Sequence, residues 1–472
     1  MVPRRRGGGV MRLDLLLGEL PGLAEALAAV DAFDQALAGG LLRPQPAQAA
    51  GLAALADAVA ASPLADRVAE AAGKAAAGVA DEEHLTALAA ARTALLGAVH
   101  DALLARVDEA TGRTRDDAEA FVPGETPSPN LLTAARAWLC DLARAGWRGM
   151  DHELVSAAAP VVSALLSDPA LRRPALLLDG FAAELAASCP GRTLDRIPLR
   201  RWADLWTRGM LLTRPGALTA PAATPVSGRL LPLGVDVHEH ATAVQAQVHA
   251  VLEPADGGPS RLVRASVSAP KPDTVVGAGL WQLLRPHLSL LAAAGDGRAV
   301  ELTGMPVTGE GDLLWSDEHA RPGEQTDVFA TARVALPAVT GGPAAPLDRH
   351  PARIAEPVLV EGYTVERDGE ALVLASAAGR LTVDASRVPA ASPLTAQAVA
   401  ASGACIGLLR WDCGEFRLQP LAVRTTVRNK AASVQAGAWA GGTSDKNAAK
   451  AEKAAADAVA ALHERAGRLL RR

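Results

Sequence analysis

The stretch Arg214-Pro-Gly-Ala-Leu-Thr-Ala-Pro-Ala-Ala-Thr-Pro225, followed by Val235-Asp-Val-His-Glu-His-Ala-Thr-Ala-Val-Gln-Ala-Gln-Val-His-Ala250, decides the fold class. Its first half is a Pro/Gly break that neither a helix nor a strand tolerates. In its second half Val235 and Val237, then Val244, Ala246, Val248 and Ala250, alternate with polar residues. A half-buried strand requires that period of two. Before the break the period is different. Leu15, Leu16, Leu20, Leu23, Leu27 and Val30 recur at steps of mostly three and four, as do Leu85, Leu88, Leu95, Val99, Leu103 and Val107. Such stripes predict helices with one buried face. The chain therefore reads as α+β and multidomain: an all-helical N-terminal half, a strand-rich, antiparallel C-terminal half that is barrel- or sandwich-like, and a terminal helix.

Working outward, residues 1–12 read as a disordered lead, with Met11 a second plausible start. Residues 13–120 form a helical sub-bundle, 121–130 a Pro/Gly/Ser-rich linker, and 131–214 a second sub-bundle. Within the latter, helices are expected near 131–147, 151–167, 175–188 and 199–213. After the break come a β-rich module with one helix over 226–345, a second β-rich module over 352–430, and a helix over 443–472 capped by Thr443, Ser444 or Asp445. The Pro/Gly-rich segment from Arg321 to Pro357 separates the two modules. Asp368-Gly369 and Cys413-Gly414 stand between alternating runs and predict hairpins.

Composition excludes several function classes. Only six of the 47 basic residues are Lys, which together with abundant Ala reads as the coding bias of a GC-rich bacterial genome. Net charge is −5, and of fourteen aromatic residues eight are Trp, so base stacking and phosphate neutralisation are both disfavoured. The four cysteines, Cys140, Cys189, Cys405 and Cys413, form no CxxC pair. With no secretory h-region, a cytoplasmic, soluble protein with reduced thiols is expected. No apolar run approaches the roughly 20 residues that span a bilayer, so no membrane partner is expected.

Motifs for chemistry are sparse. There is no GxxxxGK[ST], no GxGxxG between strand and helix, and no GxSxG elbow. Ser268-Ala-Pro-Lys271 matches S-x-x-K with a proline inside it and no K-T-G after it. The densest ionisable cluster is Asp236-Val-His238-Glu239-His240. On one regular strand His238 and His240 share a face and could hold a metal. His249 would then fall on the opposite face, leaving His319 in Asp317-Glu-His as the candidate third ligand. A polar strand face explains the cluster without metal. Asp151-His-Glu153 reads as a helix start. No catalytic residue and no cofactor are assigned.

The most distinctive segment runs from Arg192 to Leu212. Asp195 is a candidate cap, and Trp202 and Trp206 lie one turn apart. Asp204 stands among Arg200, Arg201 and Arg208, which makes local ion pairs available. Either the Trp pair fills the core, or Trp202, Asp204, Trp206 and Arg208 form a partner-binding face. In the last helix Val459, Leu462 and Leu469 make a narrow seam for docking on the body or on another chain. The Arg-Arg-Trp-Ala-Asp-Leu-Trp-Thr-Arg stretch, Arg200 to Arg208, resembles one in uncharacterised bacterial proteins encoded beside a MoxR-type AAA+ ATPase, a von Willebrand A protein and a SWIM zinc-finger protein. The SWIM cysteine pattern itself is absent. That resemblance implies a non-enzymatic adaptor or scaffold with a protein partner, an AAA+ ATPase or a von Willebrand A protein. Two alternatives stand beside it: a metal-dependent enzyme using His238 and His240, and an OB-like module binding single-stranded nucleic acid through Tyr363, Trp411 and Phe416.

Overall fold

The computed structural model describes residues 11–115, 127–218, 222–427, 430–442 and 446–469. The expected lead over 1–10, most of the 121–130 linker and the capping residues 443–445 lie outside them.

Among the described residues, ten α-helices build the first unit. They are α1 (Leu13–Leu16), α2 (Leu23–Gly39), α3 (Pro46–Ala58), α4 (Ala65–Ala76), α5 (Glu82–Thr111), α6 (Pro129–Gly149), α7 (His152–Ser156), α8 (Ala158–Leu166), α9 (Arg172–Ala187) and α10 (Leu199–Leu212). Asp81 caps α5 by accepting from the His84 N–H, and Gly112 (φ 71°) ends it in the left-handed conformation that favours glycine. Asp151 caps α7 as its sequence suggested. Asp195 caps nothing; α10 starts after Pro198 with no side-chain cap. Helices on both sides of the expected linker share one apolar core, which contains Phe33, Leu88, Trp138, Trp147, Phe181, Trp202 and Trp206. Trp147 makes edge-to-face contacts with Phe181 and Trp202 at 5.8 and 5.9 Å. Helix α5 is long and apolar enough by composition to cross a bilayer, yet half of that window is buried here. Its N-terminal half belongs to the helical core; Val99, Leu103, Val107 and Ala110 pack instead with Met11, Leu13, Leu16 and a β-rich module.

The first β-rich module contains β1 (Ala223–Glu239), β2 (Ala243–Pro254), β3 (Arg261–Pro270), α11 (Leu280–Leu283), α12 (Leu288–Asp296), β4 (Arg298–Thr308) and β5 (Asp312–Leu313). β1 pairs with both β2 and β4, β2 with β3, β3 with β5 in parallel, and β5 with β4. The ring closes in the order β1-β2-β3-β5-β4-β1, with the helices between its third and fourth strands. β6 (Ala320–Gln325) then adds to the outside of β4, and α13 (Val328–Ala335) follows.

The second module repeats that connectivity. Its strands are β7 (Glu356–Glu361), β8 (Thr364–Asp368), β9 (Ala371–Ser376), β10 (Gly379–Val383), then α14 (Ala396–Ala400), β11 (Ser402–Asp412) and β12 (Glu415–Val427). The pairing path is β7-β11-β12-β10-β9-β8, with β10 and β12 parallel. Its two ends are consecutive in the chain, separated by Gly362 (φ 69°) and Tyr363, so β7 and β8 act as one broken first strand. Both modules are five-stranded Greek-key barrels of OB type. The expectation of an OB-like barrel was attached only to the second. Gly369 and Gly414 sit in the two predicted hairpin turns, with Cys413 also at positive φ in the latter. β13 (Lys430–Gln435) adds to β12, and α15 (Lys446–Leu469) packs on residues 277–283.

Inward residues of β2 (Val244, Ala246, Val248, Ala250) meet Val263, Ala265, Val300, Leu313 and the helix residues Trp281 and Leu291 in the first barrel core. A separate apolar seam joins the barrels: Leu231, Leu233 and Val251 against Phe329, Ala404, Ile406 and Ala422. There β1 approaches β12 so closely that a Cβ on Gly234 would lie 2.7 Å from Leu421, so only glycine fits without a shift.

Candidate functional site

The barrel's outward residues face something quite different. Asp236 and His238 on β1, Gln245, Gln247 and His249 on β2, Arg264 on β3 and Asp312 on β5 form one polar surface. The register Gly234↔His249, Asp236↔Gln247 and His238↔Gln245 puts them together. This surface is the floor of a cleft of about 640 Å³. Its roof comes from His100 and Arg115 at the end of α5, Asp204 and Arg208 on α10, and the segment 337–355, which carries Asp348, His350 and Arg353. That segment is the latter part of the expected Arg321–Pro357 spacer, whose first part folds instead as β6 and α13. It has only two short 3-10 turns, yet it is held at three points: Arg208 to Asp348 at 3.0 Å, His350 Nε2 to Asp204 at 3.4 Å, and Arg349 to Asp101 at 3.4 Å. Long loops pinned this way commonly serve function.

On the floor, Asp236 is 2% exposed. It accepts from Arg410 at 2.6 Å and Gln419 at 2.7 Å, both on the second barrel, and from His238 Nε2 at 2.9 Å. Burial alone would raise its pKa; the His238 hydrogen bond and the Arg410 charge outweigh that and hold it well below the ordinary carboxylate range. Asp236 thereby orients His238, whose ring remains one-third exposed to the cleft. His249 is 4% exposed, and its Nε2 has no hydrogen-bond partner among the described residues. Burial pushes its pKa down to about 4, so the ring is neutral at pH 7. Arg264 makes two bonds to Asp312, at 2.5 and 2.9 Å. Glu310 beside it has its pKa raised, first by burial and then by Asp348 and Asp312.

On the roof, Asp204 is drawn away from its sequence neighbours. It accepts from Arg92 at 2.6 Å and faces His350, while Arg92, 1% exposed, also holds both oxygens of Asp34. Burial raises the Asp204 pKa, but His350 and Arg92 bring it below the usual value. None of the expected local pairs forms: Arg200 reaches Asp31, Arg201 reaches Glu184, and Arg208 reaches Asp348.

The sequence candidates are redistributed accordingly. Trp202 and Trp206 are 1% and 0% exposed, so the expected partner-binding face does not exist at those positions; the tryptophans fill the helical core. Asp204 and Arg208, from the same helix, line the cleft instead. His240 is exposed just past the end of β1, off the strand on which it was expected to share a face with His238. His319 gives its Nδ1 to the Thr303 carbonyl oxygen at 2.7 Å. Among the described residues no three His, Cys, Asp or Glu side chains are placed to hold a metal, so His238, His240 and His319 do not assemble one. His249, expected on the opposite face, shares the face of His238, because the hairpin turn after Glu239 resets the alternation. Tyr363 and Phe416 are buried in the second barrel, with Trp411 packed edge-on to Phe416 at 5.0 Å, so they offer no outward stacking platform. Val459 packs against the first barrel core; the side chains of Leu462 and Leu469 lie outside the described set.

Among the described residues, no Ser, Thr, Cys, Tyr or Lys lines the cleft. The buried thiols Cys140 and Cys405 are pushed up to about 11 and 12 by burial and are inert. The cleft therefore offers binding through guanidinium, carboxylate and imidazole groups, and proton transfer at His238 or Glu310, but no sulfur or hydroxyl nucleophile. No protein-family model, no curated protein and no solved structure matches this chain.

Proposed function

We propose that the protein binds a small polar molecule in the cleft between its helical unit and its first barrel, beneath the 337–355 segment. The observation that carries this reading is convergence. Four of the chain's ten histidines, His100, His238, His249 and His350, line one cavity with five arginines and five carboxylates drawn from widely separated parts of the chain. The volume falls within the range of ordinary ligand sites, and the lining is polar where such sites are usually apolar, which selects a polar ligand. On an OB-type barrel the outer face of the second and third strands, with the loop between the fourth and fifth, is where ligands commonly bind. Fold alone assigns no function; the reading rests on the site's own residues. A thermal-shift screen of polar metabolites tests it. A true ligand at 100 times its Kd adds roughly 2.7 kcal/mol of stability, and His249→Phe should abolish that shift. Stabilisation that persists in the variant counts against the reading.

A second reading, a cytoplasmic adaptor beside an AAA+ ATPase or von Willebrand A protein, draws on the resemblance over Arg200–Arg208. It also draws on α15, most of whose described surface is exposed. Pull-down of the purified ATPase with the full chain, and its loss on removing residues 443–472, is the result this reading expects. No capture by the full chain contradicts it, and equal capture by both forms removes α15 from the contact.

A further inference from the structure

We infer that the cleft's ligand carries an oxyanion, a carboxylate or phosphate group, and that Arg353 grips it. The inference rests on the cleft being a ligand site and adds the chemistry it selects. Arg353 ends a short 3-10 turn of the roof segment, and its side chain is 59% exposed although it lines the cleft. Its nearest carboxylate oxygen, on Asp348, is 3.5 Å away, and no hydrogen bond to its guanidinium occurs among the described residues. Asp348 is already hydrogen-bonded by Arg208 at 3.0 Å and approached by Arg173 at 3.6 Å. Three guanidiniums thus share one carboxylate. Arg264, the fourth cation nearby, is committed to Asp312. Arg353 is accordingly a planar fork of five donors, in a neighbourhood of like charge, whose one carboxylate contact is the shared, 3.5 Å approach to Asp348.

A carboxylate or phosphate fits that fork two bonds at a time and offsets the repulsion that Arg208, Arg264 and Arg173 exert on Arg353. The one acidic group not absorbed by a close arginine bond is Glu310, 3.9 Å from Arg264. Its raised pKa lessens its repulsion of an anion. His249 supplies the second, independent sign of a ligand, since its buried Nε2 lines the same cleft unpartnered. Arg264 lies within electrostatic reach of both Arg353 and His249. One molecule can therefore place its anion on Arg353 and a polar group on His249.

Isothermal titration of the full chain with inorganic phosphate and, separately, with citrate tests this. Saturable binding of at least one is expected, and whichever binds more tightly identifies the group. Arg353→Gln should weaken it tenfold or more and Arg353→Lys less, while Arg367→Gln, on exposed β8, stays within twofold. Absence of saturable binding by the wild type, or equal affinity in Arg353→Gln, overturns the assignment. A neutral molecule that binds wild type and Arg353→Gln alike but fails on His249→Phe would overturn the oxyanion while leaving the cleft site standing. Failure of every molecule to bind would sink both.

Discussion

His249 shows how far a side chain's surroundings can move its chemistry. Its pKa is depressed from 6.5 to about 4 by burial, so the folded state resists the proton that the unfolded chain accepts. The stability present above pH 6.5 is therefore lost as pH falls from 6.5 through 4, by about 3 kcal/mol at 1.36 kcal/mol per unit. Asp34, whose pKa burial raises to about 6, gains stability over part of the same interval and opposes this slope; in urea unfolding the stability of wild type relative to His249→Gln should therefore fall by about that amount between pH 6.5 and 4. Arg92 gives a second residue-scale expectation. Among the described residues it is the sole cation bonded to Asp34, which is 2% exposed. Arg92→Ala strands that carboxylate and should cost about 3–5 kcal/mol; Asp34→Asn with Arg92→Met should cost less than Arg92→Ala alone. Neither partnership was legible in the sequence. Asp34 and Arg92 are 58 positions apart, and the three arginines nearest Asp204 along α10 all bond elsewhere.

At the scale of elements, periodicity served well where an element stood alone. The α5 stripe from Leu85 to Val107 is buried as its spacing predicts, and the helices near 131–147 and 199–213 appear within two residues of expectation. Parity failed at the β1–β2 hairpin. Counting nine residues from His240 to His249 treats the turn as strand, whereas pairing sets the face of each strand anew. The segment 337–355 failed differently. Its Pro/Gly content read as a spacer, but Asp348 and Arg349 tie it to α10 and α5 through Arg208 and Asp101. If those ties hold the roof down, trypsin should cut after Arg349 and Arg353 slowly in wild type and several-fold faster in Arg208→Ala, with circular dichroism unchanged. Equal cutting rates would mean that the ties do not restrain the segment.

The molecule as a whole is a helical unit and two barrels of one connectivity, joined so that each covers the others' gaps. The helical half and the strand-rich half were readable because the hydrophobic period changes at Arg214–Pro225. The shared barrel topology was not, because both closures depend on two-residue parallel pairings, Arg264↔Asp312 and Thr382↔Arg417 with their neighbours, too short to leave a pattern. The cleft was equally hidden, since its lining is gathered from α5, α10, six strands of two barrels and the loops between them. Imidazole nitrogen NMR of the ten histidines, with and without the small-molecule fraction of a bacterial extract, tests the convergence most directly. The ligand-site account predicts that signals of His238, His249 and His350 shift together while those of His84 and His152 stay fixed. Cleft signals that remain unmoved by every fraction, or shifts spread evenly over all ten rings, would contradict it.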